Sequence, residues 1–113
     1  MTVVETPFFL RKASALLTDE EREQLIEFVG ANPEKGELVP ESGGVRKLRW
    51  GAKGKGKRGG VRVIYYFHNA AFPIFLLTLY AKNQKANLTK AERNELRDLM
   101  PKLVKTYGKG RER

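Results

Sequence analysis

The sequence has no cysteine, a single histidine and, across residues 42–91, no aspartate or glutamate. Without cysteine the chain forms neither a disulfide nor a thiolate zinc site. With no carboxylate in the same window, His68 has no partners for a metal cluster or a catalytic triad, so we expect it to be a solvent-facing loop residue. We therefore predict a protein that uses no metal and no cofactor.

Long hydrophobic runs are also missing. The longest, residues 70–81, has 12 residues and is interrupted by Pro73, which is too short to cross a bilayer. The first residues show neither the basic nor the apolar region of a secretion signal. We expect a cytoplasmic protein that makes no membrane contact.

The acid-free window is strongly basic. It holds 11 of the 22 lysines and arginines, whereas the rest of the chain carries the other 11 together with all 13 acidic residues and is nearly neutral. A surface that serves only solubility mixes both signs, while a segment of one sign is typical of proteins that bind polyanions. Nucleic acid is the expected partner, and a basic surface without a specific partner is the alternative.

The length of 113 residues fits one domain, residues 1–113. Two capping boxes, Thr18 with Glu21 and Thr89 with Glu92, predict the starts of two helices, and Pro101 predicts a kink or a break in the second. Runs rich in β-branched and aromatic residues predict three strands joined as an antiparallel meander. The pattern predicts an α+β domain with a strand at 2–5, helices at 7–17 and from 18 to about 30, strands at 45–50, 61–69 and 72–82, a helix from 89 and a flexible tail at 108–113.

Alternation along the strands places one set of polar and aromatic residues on a shared face. With the helices packed on the other face, this set forms an open surface that comprises Lys47, Arg49, Arg62, Tyr66, Tyr80 and Lys82. The glycine-rich loop between the first two of the three strands adds a mobile cationic arm with Lys53, Lys55, Lys57 and Arg58. Its glycine spacing approximates two phosphate-binding motifs, but both need a helix after the loop, and a strand follows here.

Lysine and arginine beside aromatic rings are suited to RNA, because cations contact phosphates and tyrosines stack on bases. The same groups could cleave RNA without a metal: the 2′-hydroxyl attacks the adjacent phosphate, arginines stabilise the phosphorane, and a lysine of lowered pKa moves protons. A non-catalytic RNA- or ribosome-binding module is the alternative. A DNA-binding regulator is a weaker one, since the charge lies on strands and a loop and not on a recognition helix.

Two stretches carry a family resemblance: "GGVRKLRWGAKGKGKRGGVRVIYYF" and "PIFLLTLYAKNQKANLTKAERNEL". They resemble the RelE/HigB family of bacterial type II toxins, most closely its HigB-like branch. The resemblance implies a helical hairpin and a C-terminal helix packed on a small antiparallel sheet, and ribosome-dependent cleavage of mRNA that inhibits translation. It also implies a cognate antitoxin, often a helix-turn-helix protein, so that contact with DNA is only indirect.

The resemblance further implies roles for individual residues. Arg62 matches an arginine that contacts the scissile phosphate, Lys47 and Arg49 match basic positions used for phosphate contact and proton transfer, and Lys82 matches a basic residue at the end of the last strand. Family members often use a tyrosine or histidine near the C-terminus as general base, but the matching stretch here, "KANL", has neither. Tyr66, Tyr80 and Tyr107 are the alternatives.

Overall fold

The computed structural model describes residues 1–51, 60–85 and 87–111, with the side chains of the last helix described as far as residue 107. The strands form a five-stranded sheet in the order β1-β5-β4-β3-β2, antiparallel except that β1 runs parallel to β5. This confirms the predicted α+β class and adds a short edge strand, β2, where the sequence predicts irregular structure. The elements are β1 (Val3–Glu5), α1 (Pro7–Leu16), α2 (Asp19–Ala31), β2 (Glu37–Leu38), β3 (Val45–Trp50), β4 (Val61–Tyr66), β5 (Ile74–Ala81) and α3 (Lys90–Arg111).

Both predicted capping boxes are present. The Thr18 hydroxyl accepts from the Glu21 backbone N–H at 3.1 Å, and the Glu21 carboxylate accepts from the Thr18 N–H at 2.8 Å. Thr89 and Glu92 repeat this reciprocal pair at 3.1 and 2.8 Å at the start of α3. Each box satisfies backbone donors that the first helical turn leaves without partners, so the local sequence determines where both helices begin.

The helices cover both faces of the sheet. α1 and α2 bury Phe9 and Leu25 against one face, where Val63 and Tyr65 are fully buried. α3 packs on the other face, where Met100 is fully buried. The expectation that all helices share one face and leave the other open is therefore wrong.

The reason lies in the composition of the second face. Val45, Ile64 and Phe75 make it apolar away from its basic end, and α3 brings a matching apolar stripe that must also leave water. As a consequence, Tyr66 and Tyr80 lie beneath α3 with only 6% and 3% of their surfaces exposed. In this structure neither ring offers an open face on which a base could stack.

A β-bulge in β5 changes the simple alternation. Ile64 pairs with Thr78 and Tyr65 pairs with Leu76, so Leu77 has no pairing partner. Leu77 and Tyr80 consequently share the α3 face although they are three residues apart.

α3 continues through Pro101 to Arg111 and does not end at Met100. Proline has no N–H for the carbonyl of Arg97 one turn earlier. Gly43 packs closely against that turn. A Cβ at residue 43 would lie only 3.1 Å from the Arg97 Cα and 3.4 Å from the Arg97 carbonyl oxygen. The tail expected at 108–113 is helical as far as Arg111, and its flexibility stays a prediction.

Candidate functional site

A basic pocket of about 530 Å³ opens at one end of the sheet. It lies where β3 ends, β4 begins and β5 ends, so strand pairing places Arg49 directly opposite Arg62. The pocket brings together all four residues predicted to carry out chemistry. Its described lining presents five cationic side chains against one carboxylate and comprises Lys35, Glu37, Lys47, Leu48, Arg49, Arg62, Lys82 and Asn87.

Arg62 is the least exposed cation of this pocket, with 6% of its surface accessible. Among the described residues it forms no ion pair, and its one hydrogen bond is a long contact of 3.5 Å to the Val61 carbonyl. Arg49, its direct cross-strand partner, adds a like charge on the same side of the sheet. A buried cation without a counter-charge is unfavourable, so the arrangement favours an anionic ligand at Arg62.

Lys47 is held in the pocket by a neutral partner. Its Nζ donates to Asn87 Oδ1 at 2.8 Å, which fixes the ammonium without neutralising it. Glu37 lies opposite Lys47 in the pairing of β2 with β3. It is the one carboxylate among the described residues that line the pocket, and a carboxylate oxygen there can accept a proton from a bound ligand.

Sequence patterns did not reveal Lys35, Glu37 or Asn87 as pocket residues. β2 has only two residues, too few to show an alternating pattern, and Asn87 lies in the loop before α3. Pairing with β3 brings Glu37 to the pocket, and the hydrogen bond to Lys47 holds Asn87 there.

The turn before β2 is clamped from the sheet. The Tyr65 hydroxyl donates to the Pro33 carbonyl at 2.8 Å and accepts from the Gly36 N–H at 2.9 Å. Arg46, the cross-strand partner of Tyr65, donates to the carbonyls of Glu34 and Gly36 at 3.1 and 2.8 Å. Burial raises the pKa of Tyr65, so the hydroxyl keeps its proton and donates. The clamp fixes the two side chains that flank Gly36 at the rim of the basic pocket.

Two of the three tyrosines considered as general bases lie away from this pocket. Tyr66 is four residues from Arg62 along β4, about 13 Å, and its hydroxyl lies 3.3 Å from Nδ1 of His68. The Tyr107 ring packs edge-on against Phe75 at 5.4 Å, towards the same far end of the sheet.

Tyr80 pairs directly with Arg62, but its hydroxyl is buried without a hydrogen-bond partner among the described residues. Burial raises the pKa of Tyr80, and the nearby Arg62 charge only partly opposes this effect. Tyr80 therefore holds its proton at neutral pH and is poorly suited to accept one.

His68 is exposed, as predicted, and it follows β4, which ends at Tyr66 and not at residue 69. The loop residues expected to grip phosphates, Lys53, Lys55, Lys57 and Arg58, lie outside the described residues, and their role stays a prediction. Within the described ranges, histidine and acidic side chains do not gather in threes to form a metal site, and no helix there has the length and apolarity to cross a membrane.

Comparison with known families identifies a match over nearly the whole chain. A family model described as "RelE toxin of RelE / RelB toxin-antitoxin system" matches residues 1–110.

Proposed function

Because the chain belongs to the RelE toxin family, we propose that this toxin is an endoribonuclease that cleaves mRNA on the ribosome and thereby inhibits translation. The observation that carries the proposal is the nearly buried Arg62, which has no ion-pair partner among the described residues and lines a pocket with four further cations. Such a site matches an RNA phosphate flanked by a reacting hydroxyl. The sequence "GAKGKGKRGG" supports a place in the HigB-like branch.

The proposed reaction needs no metal ion. The 2′-oxygen of one nucleotide attacks the adjacent phosphorus, a 2′-O–P bond forms, and the bond from phosphorus to the 5′-oxygen of the next nucleotide breaks. The products are a 2′,3′-cyclic phosphate and a 5′-hydroxyl. Arg62 and Arg49 donate to the phosphate oxygens and stabilise the additional negative charge of the phosphorane.

Two proton transfers complete the reaction. Glu37 accepts the proton of the 2′-hydroxyl, replacing the tyrosine or histidine that the resemblance led us to expect. Lys47, positioned by Asn87, supplies a proton to the departing 5′-oxygen, and Lys82 adds positive charge at the pocket rim. Each positioned acid or base contributes a factor of ~10²–10⁴ to such reactions.

Membership of the family implies a cognate antitoxin. We propose that this antitoxin is a helix-turn-helix protein that links the toxin to DNA only indirectly, and that the toxin acts in the cytoplasm, where ribosomes and mRNA are found.

The test is induced expression in bacterial cells, with growth measured and mRNA ends mapped by primer extension. Wild-type protein is expected to arrest growth and produce discrete cuts. Arg62→Gln should reduce the amount of cleaved mRNA at least ~10²-fold, which is the effect of removing one donor that stabilises an oxyanion. Arg97→Gln, which removes an exposed arginine of α3, should behave as wild type.

Two results would count against the proposal. Growth arrest by soluble wild-type protein with no mRNA cuts would support a non-catalytic ribosome-binding module instead. Cuts that persist at wild-type level in Arg62→Gln would show that the basic pocket is not the site of cleavage. Glu37→Gln separates the roles further, because it should abolish the cuts while RNA binding remains.

A further inference from the structure

An apolar groove of about 330 Å³ is formed by α1, β5 and α3. The apolar side chains that line it come from all three elements and include Phe8 of α1, Leu77 of β5, and Leu96, Leu99 and Leu103 of α3. The groove and the basic pocket have no described lining residue in common. The groove is therefore a separate surface, which the proposed reaction does not use.

The groove lies where β1 no longer covers the outer edge of β5. β1 pairs only with residues 74–76 of β5, and the chain then enters α1 at Pro7. From residue 77 to the end of β5 at Ala81, no strand among the described residues pairs with this outer edge. In the groove, this part of β5 is flanked by helices α1 and α3 instead of by a strand.

The groove gathers apolar side chains that the core leaves uncovered. Phe8 and Leu99 have 51% and 42% of their surfaces exposed, and Leu96 and Leu103 are only partly buried at the edge of the core on the α3 side. A single exposed apolar residue needs no explanation, but several that line one groove are typical of a site that binds another protein.

The leucines of α3 have the spacing of a helix-packing seam. Leu96, Leu99 and Leu103 follow one another after three and then four residues, which is the spacing of the a and d positions of a coiled coil. At 1.5 Å per residue they extend over ~10 Å, about two helical turns. A second helix with apolar residues at matching intervals packs along such a seam. The groove therefore fits an amphipathic helix.

The charge of the groove disfavours a nucleic acid as its occupant. Its described lining residues include two carboxylates, Glu92 and Glu95, and no lysine or arginine, although the net charge of the chain is +9. Glu92 pairs with Lys85, whereas Glu95 is exposed and forms no ion pair among the described residues. A phosphate backbone would be repelled here, but a basic residue beside the apolar face of a helix would be complementary to Glu95.

The α1 side of the groove has the opposite charge. The Arg11 guanidinium and the Lys12 ammonium lie 5.4 and 5.5 Å from the centre of the Phe8 ring. Cations therefore flank the apolar contact on α1, and carboxylates flank it on α3. This distribution favours a helix that has acidic residues on one flank of its apolar face and basic residues on the other.

We propose that this groove binds an amphipathic helix of the cognate antitoxin. Membership of the RelE toxin family implies that partner, the leucine spacing fits a helix, and the charges disfavour RNA. The inference takes the antitoxin from the proposed function, but it does not depend on cleavage of mRNA. Since the groove lies apart from the basic pocket, changes in it should weaken antitoxin binding and leave cleavage intact.

The test measures the affinity of the toxin for its cognate antitoxin by titration calorimetry, after the two proteins are co-expressed, separated and purified. Leu99→Gln keeps a side chain that favours helix but removes the apolar contact. It should weaken binding at least ~30-fold, the effect of losing one interface hot spot. Leu10→Gln is the matched control and should bind as wild type, because Leu10 is equally exposed, at 41%, but does not line the groove. Urea midpoints close to that of wild type confirm that both variants are folded.

Glu95→Lys tests the charge of the occupant. It should weaken antitoxin binding at low salt, and the difference from wild type should shrink at high salt, because the complementary charges lie at an exposed rim. Tighter antitoxin binding by Glu95→Lys would contradict a basic flank on the bound helix.

The remaining outcomes distinguish this inference from its rivals and from the proposed function. Unchanged antitoxin affinity in Leu99→Gln, or an equal loss in Leu10→Gln, would overturn the docking site even if mRNA is cleaved. So would dimerisation of the toxin alone, or binding of an RNA oligonucleotide, that Leu99→Gln abolishes while antitoxin binding persists. Loss of antitoxin binding in Leu99→Gln, in a protein that produces no cuts, would support the docking site and refute the nuclease. If both hold, Leu99→Gln should still cut mRNA in cells, and co-expressed antitoxin should no longer restore growth.

Discussion

Replacing Tyr65 by phenylalanine should destabilise the protein and also weaken its proposed activity. The substitution removes one oxygen atom from a fully buried side chain and leaves the ring packing unchanged. That oxygen makes two hydrogen bonds across the sheet edge, donating to Pro33 and accepting from Gly36. Without it, both backbone groups lose their partner.

The magnitude follows from those two groups. A typical hydrogen bond contributes about 0.5–1.5 kcal/mol net, and a buried group left unsatisfied costs about 1–3 kcal/mol. Gly36 is buried, so its N–H falls in the second class. We expect a loss of about 2–3 kcal/mol in the free energy of unfolding, a substantial part of the 5–15 kcal/mol typical of a domain.

Urea unfolding at neutral pH measures this loss, and Tyr66→Phe is the matched control. Tyr66 is the next residue of β4 and is also buried, but its hydroxyl has a single contact of 3.3 Å, to exposed His68. Its removal should cost less than about 1 kcal/mol. Equal losses in the two variants would refute the clamp argument.

The clamp also has a functional consequence. The side chains that flank Gly36 line the basic pocket, so Tyr65→Phe should reduce mRNA cleavage under conditions in which the variant is fully folded. Tyr66→Phe should leave cleavage unchanged. Full cleavage by folded Tyr65→Phe would show that the turn keeps its position without the hydroxyl.

Three further changes test other parts of the structure. Gly43→Ala should destabilise the protein by about 1–3 kcal/mol, because residue 43 has φ +80° and its new Cβ would lie 3.1 Å from the Arg97 Cα. A urea unfolding midpoint equal to that of wild type would contradict this prediction. Burial alone would raise the pKa of Glu92, but hydrogen bonds and charge from Lys85, with bonds from Thr89, outweigh burial and lower it. Its ionised form thus stabilises the protein above the ordinary glutamate pKa, and this contribution disappears as the pH falls through the lowered value. The stability gap between wild type and Glu92→Gln should therefore be present at pH 7 and close towards pH 3, and a gap independent of pH would be inconsistent. Arg49→Gln should raise the melting temperature at low salt, because it removes one of the like charges in the basic pocket. Sulfate should raise the melting temperature of wild type more than that of this variant. Identical responses of the two proteins would exclude like-charge repulsion in the pocket.

Local patterns in the sequence were sufficient for much of the fold. The capping boxes determine where α2 and α3 begin, because each bond closes within three residues. β3 has the predicted bounds, since β-branched and aromatic residues report their preference independently of distant partners. Alternation also predicted that Lys47, Arg49 and Arg62 face one way, and the structure places them in one pocket.

The tertiary structure decided what covers each face and what completes the pocket. An amphipathic pattern shows that α3 must bury a stripe but not against which face of the sheet, because that depends on the path of the whole chain. Burial of Tyr66 and Tyr80, and with it the loss of their expected stacking surface, follows from that choice. Glu37 and Asn87 reach the pocket through contacts with Lys47 that span 10 and 40 residues of sequence. Short segments carry no periodic pattern that could report such partners, so their place in the site arises only when the strands pair and α3 docks.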